Sequence, residues 1–89
     1  FLVNIARGSV VATDDLLTAL QNNAIAGAAL DVFDDEPNVP DAFKTLHNVV
    51  LTPHVAGLSP EATRATVTMV ERNLSASFNG EPVLTPVHL

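Results

Sequence analysis

The chain has 89 residues, about half to one ordinary domain by length, with 4 Lys+Arg against 10 Asp+Glu and a formal charge of −6. Its four cations, Arg7, Lys44, Arg64 and Arg72, are scattered, which argues against a nucleic acid backbone or an anionic membrane as partner, because both need clustered positive charge. Cysteine is absent, so disulfides and thiolate metal sites are excluded and a reducing compartment fits.

Residues 2–6 read as a short buried strand, and Gly8 allows a turn directly after Arg7. A helix follows over residues 13–22. Thr13 is its expected N-cap, Asp14 and Asp15 suit the positive end of the helix dipole, and Leu16, Leu17 and Leu20 form its apolar face. Asn22 and Asn23 suit its end, because Asn tolerates the left-handed conformation. Residues 25–33 read as a second strand with hardly a polar group before Asp31, the pattern of burial on both faces. The small Gly27, Ala28 and Ala29 let another element approach closely. A strand–helix–strand order implies a right-handed crossover and a parallel pair.

Residues 34–47 read as a loop, acidic at Asp34, Asp35 and Glu36 and broken by Pro37 and Pro40. Residues 48–52 make a third strand, stopped by Pro53. A long helix then starts with Ser59 as N-cap and Pro60 in its first position, and Asn79 and Gly80 end it. Thr63, Val67, Val70, Leu74 and Phe78 recur at helical spacing and give an apolar stripe. The tail, with Pro82 and Pro86, reads as extended. No apolar run approaches the length of a transmembrane helix, and the first residues lack the charged start of a secretory leader. The chain opens on Phe1 inside an apolar run, and only two helices serve three strands. It is therefore read as a piece of a longer protein that finishes one sheet face or edge.

Arg7, Asp31 and His54 each close an apolar run: LVNIAR at 2–7, IAGAALD at 25–31 and NVVLTPH at 48–54. If those runs are neighbouring parallel strands, the three side chains share one rim, where ligands bind in open α/β sheets. Arg7 is either a cation capping the sheet edge or a fork for a substrate carboxylate. His54 and Glu36 are either ordinary loop residues or a proton-transfer pair, since a carboxylate beside an imidazole favours its protonated form. Asp31 must accept hydrogen bonds if buried, from backbone groups or from a ligand amide. His47 and His88 read as solvent-facing, and three His without HxH or HExxH spacing make a metal site unexpected.

Taken together, LVNIARGSVV, LLTALQNNAIAGAALDVFDDEP and NVVLTPHVAG resemble the D-2-hydroxyacid dehydrogenase family, in its order and at about its spacing. NGEPVLTPV in the tail also looks similar. The resemblance implies an α/β fold: a partial Rossmann-like doubly wound parallel sheet, the second half of a dinucleotide-binding domain, plus a long C-terminal helix. Residues 1–58 would be that half-domain, and residues 59–89 a helix and tail returning to a substrate domain. It implies hydride transfer between NAD or NADP and a small 2-ketoacid or 2-hydroxyacid, such as glyoxylate or hydroxypyruvate, in a cytoplasmic homodimer. By similarity Arg7 grips the substrate carboxylate, His54 is the acid/base and Glu36 keeps its imidazole charged. Ile5, Ala6, Arg7, Asp31, His54 and Gly57 would contact the cofactor, Asp31 through the nicotinamide carboxamide. No GxGxxG loop is present, so the 89 residues alone are expected to lack reductase activity. Asn23 stands where the family often has Gly, and His47 precedes Asn48. A different class of reading is a non-catalytic corepressor-type binding protein built on the same fold.

Overall fold

Three short apolar segments pair because each lacks internal partners for its backbone groups and each carries β-branched or small side chains. The computed structural model describes residues 1–88, in which β1 (Leu2–Asn4), β2 (Ala28–Leu30) and β3 (Val49–Leu51) form one parallel sheet in the order β1-β2-β3. The register sets Val3 beside Ala29 and Ala29 beside Val50. The partial Rossmann-like α/β architecture expected from the sequence is therefore present. The ladder is shorter than the apolar runs. In β1 the reason is local: the Asn4 side chain takes the Ala6 N–H at 3.1 Å, which turns the chain away before a fifth residue can pair.

The backbone divides into two compact units, Phe1–Ala56 and a second beginning at Gly57. In the first, α1 (Thr13–Gln21) and α2 (Asp41–Lys44) carry the side chains that cover one face of the sheet. Leu16 and Leu20 of α1 pack with Ala28 and Leu30 of β2 and Phe43 of α2, flanked by Leu2, Val49 and Leu51. Removing such side chains from water is the main force holding the unit together. On the opposite face Val3 and Val50 are exposed.

Several local expectations change. The N-cap of α1 is Ala12, with no side-chain cap; Thr13 instead donates its hydroxyl to Asp34 Oδ2 at 2.9 Å. The helix ends as the asparagines imply, with Asn23 at φ 52°. Residues 34–47 are not wholly loop, because α2 lies within them, started at Pro40 and anchored by the buried Phe43. Gly8 opens a 3₁₀ turn at Gly8–Val10 and lies against the backbone of Phe33 and Asp34. Space rather than unusual dihedrals requires glycine there.

The second unit is built on α3 (Pro60–Phe78). Ser59 caps it by accepting from Ala62 N at 3.0 Å, and Gly80 leaves it at φ 72°. Asn73 ties the tail to the helix, its Oδ1 accepting from Leu84 N at 2.9 Å and Thr85 N at 3.2 Å. The apolar stripe is exposed at Val67, Val70, Leu74 and Phe78.

Candidate active site

Parallel strands end on the same edge, so the segments leaving β1, β2 and β3 bring Arg7, Asp31 and His54 to one rim. The order adds a detail that the apolar runs did not reveal. β2 is central, so Arg7 and His54 approach from either side with Asp31 between them.

Asn4 and Asp31 are the buried polar or charged residues of this rim, 6% and 4% exposed. Asp31 follows β2 and spends its carboxylate on the segment that bears His54. Oδ1 accepts from the Thr52 hydroxyl at 2.6 Å and from Val55 N at 2.9 Å, and Oδ2 accepts from Ala56 N at 2.9 Å. These bonds, the Thr52 hydroxyl foremost, hold the Asp31 carboxyl below its ordinary pKa. Between those anchors His54 sits at φ 55°, a left-handed conformation that costs a non-glycine residue on the order of 1 kcal/mol or more. The surrounding bonds fix it there.

Glu36 holds the ring of the same histidine. Its Oε2 lies 2.6 Å from His54 Nδ1, and its Oε1 accepts from Phe33 N at 2.9 Å. The His54 contact and then the Phe33 N–H keep Glu36 ionised below its usual range. The two side chains remain 49% and 34% exposed, so solvent and small molecules reach them. With Nδ1 committed to a carboxylate, Nε2 is the nitrogen left for exchange with a ligand. Both residues border a cleft of about 300 Å³ whose other walls include Phe33, Val39, Leu51 and Pro53.

Arg7 is exposed, and its Nη1 donates to Ala6 O at 2.7 Å. Ile5 and Ala6 beside it are exposed as well. Gly57, also exposed, belongs to the second unit, where its carbonyl accepts from Ser59 N at 3.1 Å. His47 and His88 are exposed, and among the described residues no group of three or more His, Cys, Asp or Glu is arranged to hold a metal ion. No helix among them is long and apolar enough to cross a membrane. The sequence reading overlooked Asn4 and Thr52, which hold the loops of Arg7 and His54. Both are small polar residues at the end of an apolar run, and that was the available signal.

A family model described as D-isomer specific 2-hydroxyacid dehydrogenase, NAD binding domain, matches residues 1–56. The chain belongs to this family. It is 51% identical over 87 residues to 2-ketogluconate reductase of Gluconobacter oxydans, covering 98% of this chain and 28% of that protein. Against glyoxylate/hydroxypyruvate reductase A of Arabidopsis thaliana the identity is 46% over 86 residues, with 97% and 28% covered. The crystal structure of an NADPH-dependent glyoxylate/hydroxypyruvate reductase from Sinorhizobium meliloti, in complex with NADP and malonate, superposes with a TM-score of 0.83 at 49% identity. That match covers 97% of this chain and 27% of the other. The chain thus spans about a quarter to a third of the length of the family members it matches.

The family's cofactor is a nicotinamide dinucleotide, and the residues present fit one end of it. Asp31 Oδ2 carries a single bond and keeps room to accept from an amide N–H. Ile5 and Ala6 offer exposed apolar surface beside a permanent cation. Nothing in the sequence matches a glycine-rich pyrophosphate loop. The fit is to the ring and its carboxamide, not to the phosphates.

Proposed function

We propose that these residues form the nicotinamide side of a longer NAD- or NADP-dependent D-2-hydroxyacid dehydrogenase that reduces a small 2-ketoacid such as glyoxylate or hydroxypyruvate. The observation that carries the reading is the His54–Glu36 pair, 2.6 Å apart, on the rim that also bears Arg7. Residues 1–58 are the half-domain, and residues 59–89 lead to the substrate domain. The protein works as a homodimer in the cytoplasm.

Arg7 binds the substrate carboxylate through two parallel N–H donors and polarises the neighbouring carbonyl. His54 delivers a proton from Nε2 to the carbonyl oxygen as the ketoacid is reduced, and recovers it in the reverse direction. Glu36 fixes the ring and balances its charge. Ile5, Ala6, Arg7, Asp31 and His54 border the nicotinamide, with Asp31 accepting from its carboxamide. The bound cofactor supplies the hydride, and the protein supplies orientation and electrostatics.

The test is turnover of glyoxylate and hydroxypyruvate by the full-length enzyme, followed through NAD(P)H absorbance. Replacing a general acid costs roughly 10²- to 10⁴-fold, and His54→Gln and Arg7→Ala are each expected to lose activity on that scale. Unchanged rates in both variants would remove the assignment.

A further inference from the structure

Asn4 is a buried polar residue that the proposed chemistry does not use. Its amide bonds through both its oxygen and its nitrogen, and both bonds go to the segment bearing Arg7. Oδ1 accepts from Ala6 N at 3.1 Å, and Nδ2 donates to Arg7 O at 2.9 Å. The chain is thereby held on both sides of the Ala6–Arg7 peptide. The same peptide anchors the guanidinium, because Ala6 O receives Arg7 Nη1 at 2.7 Å. Asn4 is itself fixed to the sheet, its carbonyl accepting from Asp31 N at 3.0 Å.

The residue type follows from what it meets. Asp31 faces three donors and no acceptor, and a carboxylate serves it. Asn4 faces one donor and one acceptor, and only a carboxamide of that length answers both. A carboxylate would set one of its oxygens against the Arg7 carbonyl. An apolar side chain would remove both bonds and release the Ala6 N–H and the Arg7 carbonyl.

We propose that Asn4 is a positioning residue for Arg7, setting the direction from which the guanidinium meets a substrate carboxylate. This rests on the reading of Arg7 given above. The route runs from the Asn4 amide through the Ala6 peptide to the guanidinium, and Asn4 touches no reacting atom.

The experiment is a double-mutant cycle in the full-length enzyme with Asn4→Ala, Arg7→Ala and the pair, with Asn4→Asp alongside. A misplacement on the order of 1 Å costs up to about 100-fold, and Asn4→Ala is expected to lower kcat/KM for the ketoacid by roughly 10- to 100-fold, mainly through KM. On the Arg7→Ala background the same change is expected to cost nothing further. Asn4→Asp, which keeps the acceptor for Ala6 N but sets an oxygen against the Arg7 carbonyl, is expected to lose at least as much as Asn4→Ala. Equal losses in both backgrounds, or no loss from Asn4→Ala, overturn the proposal. So does failure of both Asn4 variants to fold, which assigns the residue to stability alone. Full activity in Arg7→Ala is a separate result and overturns the catalytic reading itself.

Discussion

Gly8→Ala tests whether the turn after Arg7 and the segment holding Glu36 are in fixed contact. A Cβ at Gly8 would lie 2.2 Å from the Phe33 carbonyl carbon, 2.4 Å from Asp34 N and 2.6 Å from Phe33 O. Ordinary contact begins at 3.4 Å, so the two backbones must part by about 1.2 Å. No flexible side chain can absorb that. Overpacking of this kind costs about 1–3 kcal/mol, while replacing glycine in the unfolded chain returns about 0.4–1 kcal/mol. The net expectation is a loss of about 1 kcal/mol. The retreating segment contains Phe33, whose N–H holds Glu36, which in turn holds His54. A shift near 1 Å there lowers turnover by up to about 100-fold. Urea unfolding and steady-state kinetics of the full-length variant provide the two measurements. Stability at or above the parent's, with kcat/KM within about twofold, would refute the reasoning by showing that the contact yields at no cost.

Acid stability has a determined sign. Glu36 and Asp31 are both held below their ordinary values, so their contribution is present above about pH 4.3 and is lost as the pH falls through the lowered values. Glu36→Gln is expected to flatten the fall in urea midpoint between about pH 5 and about pH 3; an identical slope in variant and parent would show that Glu36 is not involved. Leu20, 1% exposed at the centre of the core, is expected to cost about 2–5 kcal/mol on replacement by Ala, and an unchanged unfolding midpoint would contradict the packing described here.

The strand ends were legible in the sequence because each apolar run stops at a charged or ring-bearing residue, and parallel strands place such residues together. Strand lengths were not legible. Val32 lies beyond the β2 ladder yet is 2% exposed, so hydrophobicity recorded burial and not pairing. The short α2 was hidden by Pro40, read as a breaker although it stands just before the first turn. Thr13 has the chemistry of a cap, but Asp34, 21 residues away, claims its hydroxyl. Tertiary partners of that kind leave no local trace. The Glu36–His54 pair was legible only as two residues of suitable chemistry, because the left-handed turn at His54 that brings them together has no glycine to announce it. Asn4 does close β1, as its run implied, but its side-chain hold on the Ala6–Arg7 segment went unread, although Asn readily closes a turn two residues on.

Because β2 stands between β1 and β3, the gap between the backbones that bear Arg7 and His54 is set by two interstrand spacings, roughly 10 Å. The peptide ladder acts as a ruler. Insertions in the connections far from the rim, such as residues 22–26 or 45–47, leave that span untouched. Variation in those peripheral connections therefore leaves the interval across the rim constant.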